Sequence, residues 1–264
     1  MAHVLRIKKV DGLVGGIVFG PVDSRRFGRS LGINPLPPDR KLCTFDCPYC
    51  ECGSTSHEPS LRLEDQPFPA AGEVIDAARG ALERLRADGV AVDSLTLTGN
   101  GETTIHPAFR EIVDGVIALR TVHLPAAKVV VLTNGTRLDR AAVCRALERV
   151  DACVVKIDAG RERTFRRINR PLEPVTLEAI TEGAARLPRV IVQTLFVRGR
   201  VDNTAPDEID AWIERIARIA PREVQVYSLD RRTARPNLIA VERNELEAIA
   251  QALRLQAGVS VTVY

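Results

Sequence analysis

Cys43, Cys47 and Cys50 stand in the run Cys43-Thr-Phe-Asp-Cys47-Pro-Tyr-Cys50, a C-x3-C-x2-C triplet. Thiolates select iron-sulfur clusters, zinc or Cu(I). A structural zinc closes with four protein ligands, whereas a reactive centre keeps one position open. Separations of four and then three residues let a loop curl around a cube of iron and sulfide, each thiolate meeting a different corner. One iron of a four-iron cluster then lacks a protein sulfur. Four-cysteine zinc sites more often use two separated C-x2-C knuckles, and this sequence has no second knuckle. A zinc knuckle completed by Cys52 or His57 is the alternative, disfavoured because Cys52 follows Cys50 by two residues and His57 lacks a partner spacing. A disulfide framework is not expected in a chain of this length that opens without a signal peptide. Cys144 and Cys153, far downstream, read as buried small hydrophobes.

Such a loop needs a rigid frame, and the hydrophobic pattern predicts one. Apolar, β-branched runs alternate with helix-period segments, the signature of a parallel sheet covered by helices. Expected strands are Ser30–Leu36, Ser94–Thr98, Lys128–Leu132, Cys153–Ile157, Val190–Val197, Val224–Ser228 and Val259–Val263. Helices are expected over Glu73–Asp88, Pro107–Leu119, Leu138–Arg149, Val175–Leu187, Pro206–Ile219 and Glu242–Leu255. About six βα units joined by right-handed crossovers predict an α/β fold of the incomplete (βα)6 TIM-like barrel kind. The expected organisation is one domain over 1–264, with an N-terminal extension over 1–28, a partial barrel core over 29–229 and a C-terminal helix and strand over 230–264.

Ligands of parallel α/β assemblies gather at the carboxyl ends of the strands. The cysteine loop follows the first strand. The second ends Thr98-Gly-Asn-Gly-Glu-Thr, where Gly99 and Gly101 flank Asn100 and permit close backbone approach, and Glu102 can accept from an ammonium group. The third ends in Asn134 and Gly135. The fourth carries Lys156 and Asp158 on one face by the period of two. The fifth carries Gln193, and the sixth ends Tyr227-Ser-Leu-Asp-Arg-Arg. Each turn alone is weak evidence; their sharing one sheet end with a metal loop is the argument. Neither a GxGxxG nucleotide turn nor a Walker sequence occurs.

The 264 residues carry a formal net charge of +3, too small to indicate nucleic-acid binding from composition. Local arginine clusters at Arg25, Arg26 and Arg29, at Arg161, Arg163, Arg166, Arg167 and Arg170, and at Arg231, Arg232 and Arg235 are solvated surface or holders of phosphate and carboxylate. No apolar run is long enough to span a bilayer, and six cysteines without an export signal fit a reducing compartment. A cytoplasmic protein is expected.

The cysteine triplet with Tyr49 before its last member, followed by Gly-Asn-Gly-Glu after the second strand, resembles the radical S-adenosylmethionine (radical SAM) superfamily. Phe19 to Asn34 and Val226-Tyr-Ser-Leu-Asp-Arg are similar to a branch of Fe-S oxidoreductases related to the wybutosine-forming tRNA enzymes. The resemblance implies a partial barrel with a [4Fe-4S] cluster on Cys43, Cys47 and Cys50, whose open iron takes the amino and carboxylate groups of S-adenosyl-L-methionine. It implies reductive cleavage to a 5'-deoxyadenosyl radical that abstracts hydrogen from substrate. Tyr49 would lie by the adenine, Gly99, Asn100, Gly101 and Glu102 by the methionyl ammonium, and Asn134 with Lys156 or Asp158 by ribose or carboxylate. Gln193 and Leu195 would border the adenine. Asn100 stands where many relatives have glycine, and the additional cysteine set of the wybutosine-type enzymes has no counterpart here. The implied partners are a low-potential electron donor such as flavodoxin or ferredoxin and a substrate. A tRNA comes first by kinship. A partner protein receiving a glycyl radical is the second option, and a non-catalytic zinc-binding module is the competing class.

Overall fold

A computed structural model of the chain describes residues 9–10, 12–55, 65–230 and 233–264. His57, Arg231 and Arg232 lie outside the described residues. The contacts divide the chain into two units, the first comprising 1–43, 55–133 and 140–153 and the second 44–54, 134–139 and 154–264.

The first unit opens with an antiparallel ribbon, β1 (Lys9–Val10) with β2 (Leu13–Val14). β3 (Val18–Ser24) then pairs antiparallel with β4 (Gly28–Ile33). β5 (Ser94–Leu97) joins β4 in parallel with Leu31 opposite Leu95, and β6 (Lys128–Thr133) joins β5 with Leu95 opposite Val129. Leu31, Leu95, Leu97, Val129, Val130 and Val131 are fully buried, as expected of parallel strands covered on both faces. The covering helices are α1 (Ala71–Ala87), α2 (Phe109–His123) and α3 (Ala141–Leu147). α1 buries Val74, Ala78, Leu82 and Leu85 at the helical repeat, and Glu73 reaches back to accept from the Ala70 amide at 2.8 Å, satisfying an otherwise open donor at its start.

β7 (Ala152–Lys156) passes from the first unit into the second. There it pairs in parallel with β8 (Ile191–Leu195), which pairs with β10 (Glu223–Tyr227), which pairs with β12 (Val261–Val263). β9 (Val197–Gly199) and β11 (Leu238–Ala240) form a separate antiparallel ribbon. α4 (Glu162–Ile168), α5 (Leu177–Ala185), α6 (Pro206–Ile219) and α7 (Arg243–Ala257) supply the helical layer. Pro206 opens α6, where its missing N–H costs nothing. The buried Glu208 in that first turn accepts from Gly160 N at 2.6 Å, Arg161 N at 3.1 Å and Thr164 Oγ1 at 2.7 Å. One carboxylate thereby fixes the turn that follows β7, where Asp158 sits.

The expected α/β architecture with mainly parallel strands is observed, and each of the six expected helices is present with ends shifted by a few residues. The short strands β1, β2 and β11 were not anticipated, and neither were two longer elements. β3 lies within the expected N-terminal extension, and α4 lies inside the arginine-rich run. Among the described residues no helix is long and apolar enough to cross a membrane.

Candidate metal and cofactor site

In the first unit, Leu42 immediately before Cys43 is stitched to the β5 turn. Leu42 N donates to Asn100 O at 2.9 Å and Glu102 N donates to Leu42 O at 2.9 Å. Gly101 makes this possible: its φ is +135°, and a Cβ there would stand 1.7 Å from Leu42 O. A Cβ on Gly99 would stand 2.1 Å from Asn34 Oδ1. The close approach that these glycines allow is therefore to the chain's own backbone and to Asn34. Asn100 is fully buried; its Oδ1 accepts from Val14 N at 2.8 Å, and its Nδ2 donates to Val14 O and Pro37 O, each at 3.0 Å. Its side chain ties β2 to the turn, which explains an amide where glycine would leave a void. Glu102 is also buried, its Oε1 accepting from Thr104 N (3.1 Å), Thr104 Oγ1 (2.6 Å) and Thr133 Oγ1 (2.7 Å). Cys153 in this unit is buried, and burial, with Glu102 nearby, pushes its thiol up to about 12. It behaves as the buried hydrophobe anticipated.

The second unit holds the rest of the cysteine loop against the segment after α4. Thr44 O accepts from Leu172 N at 2.9 Å and Asp46 N donates to Arg170 O at 3.1 Å, an antiparallel stitch centred on Phe45 and Pro171. Phe45 is buried edge-on to Phe165, with ring centroids 5.5 Å apart, a pair worth about 0.5–1.5 kcal/mol beyond its burial. Asp46 receives Arg235 Nη2 at 2.8 Å and Arg170 Nε at 3.4 Å, and Arg235 N donates to Pro48 O at 3.0 Å. The chain after β10 thus clamps the loop from the other side.

Behind the loop lies a buried polar network. Asp158 Oδ1 accepts from Leu195 N at 2.8 Å and from Lys156 Nζ at 2.9 Å. Its Oδ2 accepts from Asn169 Nδ2 at 2.8 Å and, through a short hydrogen bond, from the Tyr49 hydroxyl. The carboxylate side chain is fully buried, and four donors replace the water it has lost. Lys156 also donates to the Tyr227 hydroxyl at 2.8 Å and lies 5.4 Å and 4.7 Å from the ring centroids of Tyr49 and Tyr227. Burial works against its ammonium, but Asp158 and Tyr227 outweigh that and raise its pKa above the ordinary lysine value. Tyr49 is held far above the usual phenol range by burial first, then by the Asp158 charge, so it remains a donor. Its ring is anchored within the loop and aimed by a strand-end carboxylate.

Cys47 joins this network through Asn169, which sequence reasoning missed. Its Sγ lies 3.4 Å from Asn169 O and 3.7 Å from Asn169 Nδ2. Asn134 is committed to the same loop, its Nδ2 donating to Thr44 Oγ1 at 2.8 Å while its Oδ1 accepts from Thr136 N at 3.0 Å. Gln193 Nε2 donates to Gln225 Oε1 at 3.3 Å on the neighbouring strand. The structure thus brings Tyr49, Lys156, Asp158 and the Leu195 amide together, adds Asn169 and Tyr227, and leaves Gln193 paired with Gln225. Asn169 is the last residue before an Arg-Pro pair, a position whose only sequence signal is the end of a short helix.

The donor set suits an iron-sulfur cluster. Cys43, Cys47 and Cys50 form no disulfide, Cys47 is buried with an amide N–H beside its sulfur, and thiolates with such hydrogen bonds are the usual cluster ligands. Among the described residues no three Cys, His, Asp or Glu side chains gather closely enough to grip a single ion. A cluster places its own irons and sulfides between the thiolates, so it does not need them that close.

Comparison with known proteins agrees with this chemistry. The chain is 34% identical over 214 residues to a UPF0026 protein of Synechocystis sp., covering 79% of the chain and 74% of that protein. It is 32% identical over 192 residues to a UPF0026 protein of Helicobacter pylori, covering 71% of the chain and 58% of that relative. Among solved structures it superposes on TYW1 with a lysine-pyruvate adduct bound, at a TM-score of 0.62 over 87% of this chain and 74% of that one. At 15% identity this is a likeness of fold. The model of the radical SAM superfamily, whose enzymes use a [4Fe-4S] cluster and S-adenosylmethionine, matches residues 41–207. That stretch is more than half of the sequence and starts two residues before the first cysteine of the triplet, so the chain belongs to the radical SAM superfamily.

Proposed function

We propose that the protein is a radical SAM enzyme in which Cys43, Cys47 and Cys50 hold a [4Fe-4S] cluster and S-adenosylmethionine fills the open iron. Reduced and loaded, this pair supplies a 5'-deoxyadenosyl radical able to abstract hydrogen from a substrate. The chain's own residues bind, orient and shield. The backbone of Gly99, Asn100, Gly101 and Glu102 meets the methionyl end. Tyr49, its hydroxyl engaged by Asp158, offers a ring held at one angle to the adenine. Lys156 and Asp158 neutralise each other and order the ribose side, with Asn134 steadying the loop through Thr44. Gln193 and Leu195 border the adenine. The observation that carries this reading is the buried Asp158, which ties loop residue Tyr49 to strand-end residues Lys156 and Leu195.

Anaerobic reconstitution followed by dithionite reduction should yield 5'-deoxyadenosine from S-adenosylmethionine. A bound four-iron cluster that forms none would sink the proposal. In the cell a cytoplasmic flavodoxin or ferredoxin is the fitting donor. For substrate, the exposed Arg163, Arg166 and Arg167 on α4 favour a polyanion, with tRNA first by the kinship noted above. Binding should then weaken steeply with salt, and no association with tRNA at low salt would turn the choice to a polypeptide.

A further inference from the structure

Asn169 is 2% exposed and stands just beyond α4. Its Nδ2 has three acceptors in reach: Asp158 Oδ2 at 2.8 Å, the Tyr49 hydroxyl at 3.2 Å and Cys47 Sγ at 3.7 Å. A primary amide has only two hydrogens. The carboxylate oxygen, charged and nearest, takes one. The tyrosine oxygen and the sulfur are the two acceptors in reach of the other. The same sulfur lies 3.4 Å from the Asn169 backbone oxygen. A sulfur that ligates a cluster carries no proton and can only accept, and Asn169 Nδ2 at 3.7 Å is a donor in reach of it.

On the proposed reading that Cys47 ligates the cluster, we infer that Asn169 is a positioning residue: its carboxamide donates one hydrogen to the Cys47 thiolate and the other to Asp158. The neutral amide sits between two anions that would otherwise repel, and it holds the ligand loop at a set distance from the strand-end carboxylate. It also has an electronic effect. A donor to a ligating sulfur stabilises the extra negative charge of the reduced cluster and raises its potential.

The test is the midpoint potential of the reconstituted cluster without S-adenosylmethionine, followed by electron paramagnetic resonance, in wild type, Asn169→Ala and Asn169→Gln. A wild type that assembles no four-iron cluster removes the reading of Cys47 as a ligand, and the inference with it. With the wild-type cluster in hand, the variants decide. If Asn169→Ala keeps its cluster, the inference expects a more negative midpoint than wild type, and an unchanged midpoint overturns it. If Asn169→Ala assembles none, Asn169→Gln, which retains both donors, should recover the cluster. A Gln variant equally empty assigns Asn169 to packing alone and overturns the inference. Arg166→Ala, on the exposed side of α4, is the control and should leave the midpoint where it is.

Discussion

Replacing Asp158 by Ala strands four donors: the Tyr49 hydroxyl, Asn169 Nδ2, Leu195 N and the Lys156 ammonium. Losing one partner of a buried ion pair costs about 3–5 kcal/mol, because the survivor keeps its charge without compensation. Lys156 is 17% exposed, so some water reaches it and the ion-pair part falls toward the lower end. Each orphaned neutral donor adds about 1–3 kcal/mol, not additively. The expected total is about 4 kcal/mol, a large share of the 5–15 kcal/mol, roughly, by which a domain is stable. Lys156→Met leaves the carboxylate with three donors and should cost less, about 1–3 kcal/mol. In the double variant the ammonium is no longer stranded, so the two costs should fall short of additivity by about 1–3 kcal/mol. Urea titration of the cluster-free protein measures all three, as midpoint shifts at constant slope. A cost below about 1 kcal/mol for Asp158→Ala, or strict additivity, would refute the idea that this carboxylate organises the site.

Gly101→Ala should destabilise by about 3 kcal/mol or more, since the φ of +135° and Leu42 O at 1.7 Å leave no room for a methyl group; Gly72→Ala, with nothing within 4 Å, is the control and should be neutral or slightly stabilising in the same urea titration. Arg235→Ala removes the 2.8 Å clamp on Asp46 and should speed loss of iron to a chelator several-fold, whereas Arg243→Ala, whose side chain is 71% exposed, should not; equal rates would count against the clamp. Iodoacetamide at mildly alkaline pH should spare Cys153, whose thiol lies at about 12, until the chain is denatured, as peptide mass spectrometry can read.

The strands most easily read in the sequence were those buried on both faces. Val129-Val130-Val131 is apolar without interruption and is fully buried. β3 escaped because it contains Gly20 and Pro21, residues that argue against a strand unless it lies at an edge, where β3 pairs only with β4 among the described residues. α4 escaped because its arginines read as solvated surface or as holders of phosphate and carboxylate, although Phe165 and Ile168 bury one side. Lys156 and Asp158 were legible as a pair by the period of two, and they meet at 2.9 Å. What closes the network was not legible. Tyr49, Asn169, Leu195 and Tyr227 converge from four places in the chain, and no local spacing records that meeting. The glycines around Asn100 carry a similar lesson: a turn that looks built for a ligand is also built to let the backbone pass Leu42 and Asn34.

An iron without a protein sulfur is the feature on which the chemistry rests. Mössbauer spectroscopy of protein reconstituted with isotopically enriched iron addresses it directly. One iron of the four should change its signal when S-adenosylmethionine is added, while the other three stay as they were. Four irons that ignore the added molecule, or a protein that takes up zinc in place of a cluster, would contradict the account.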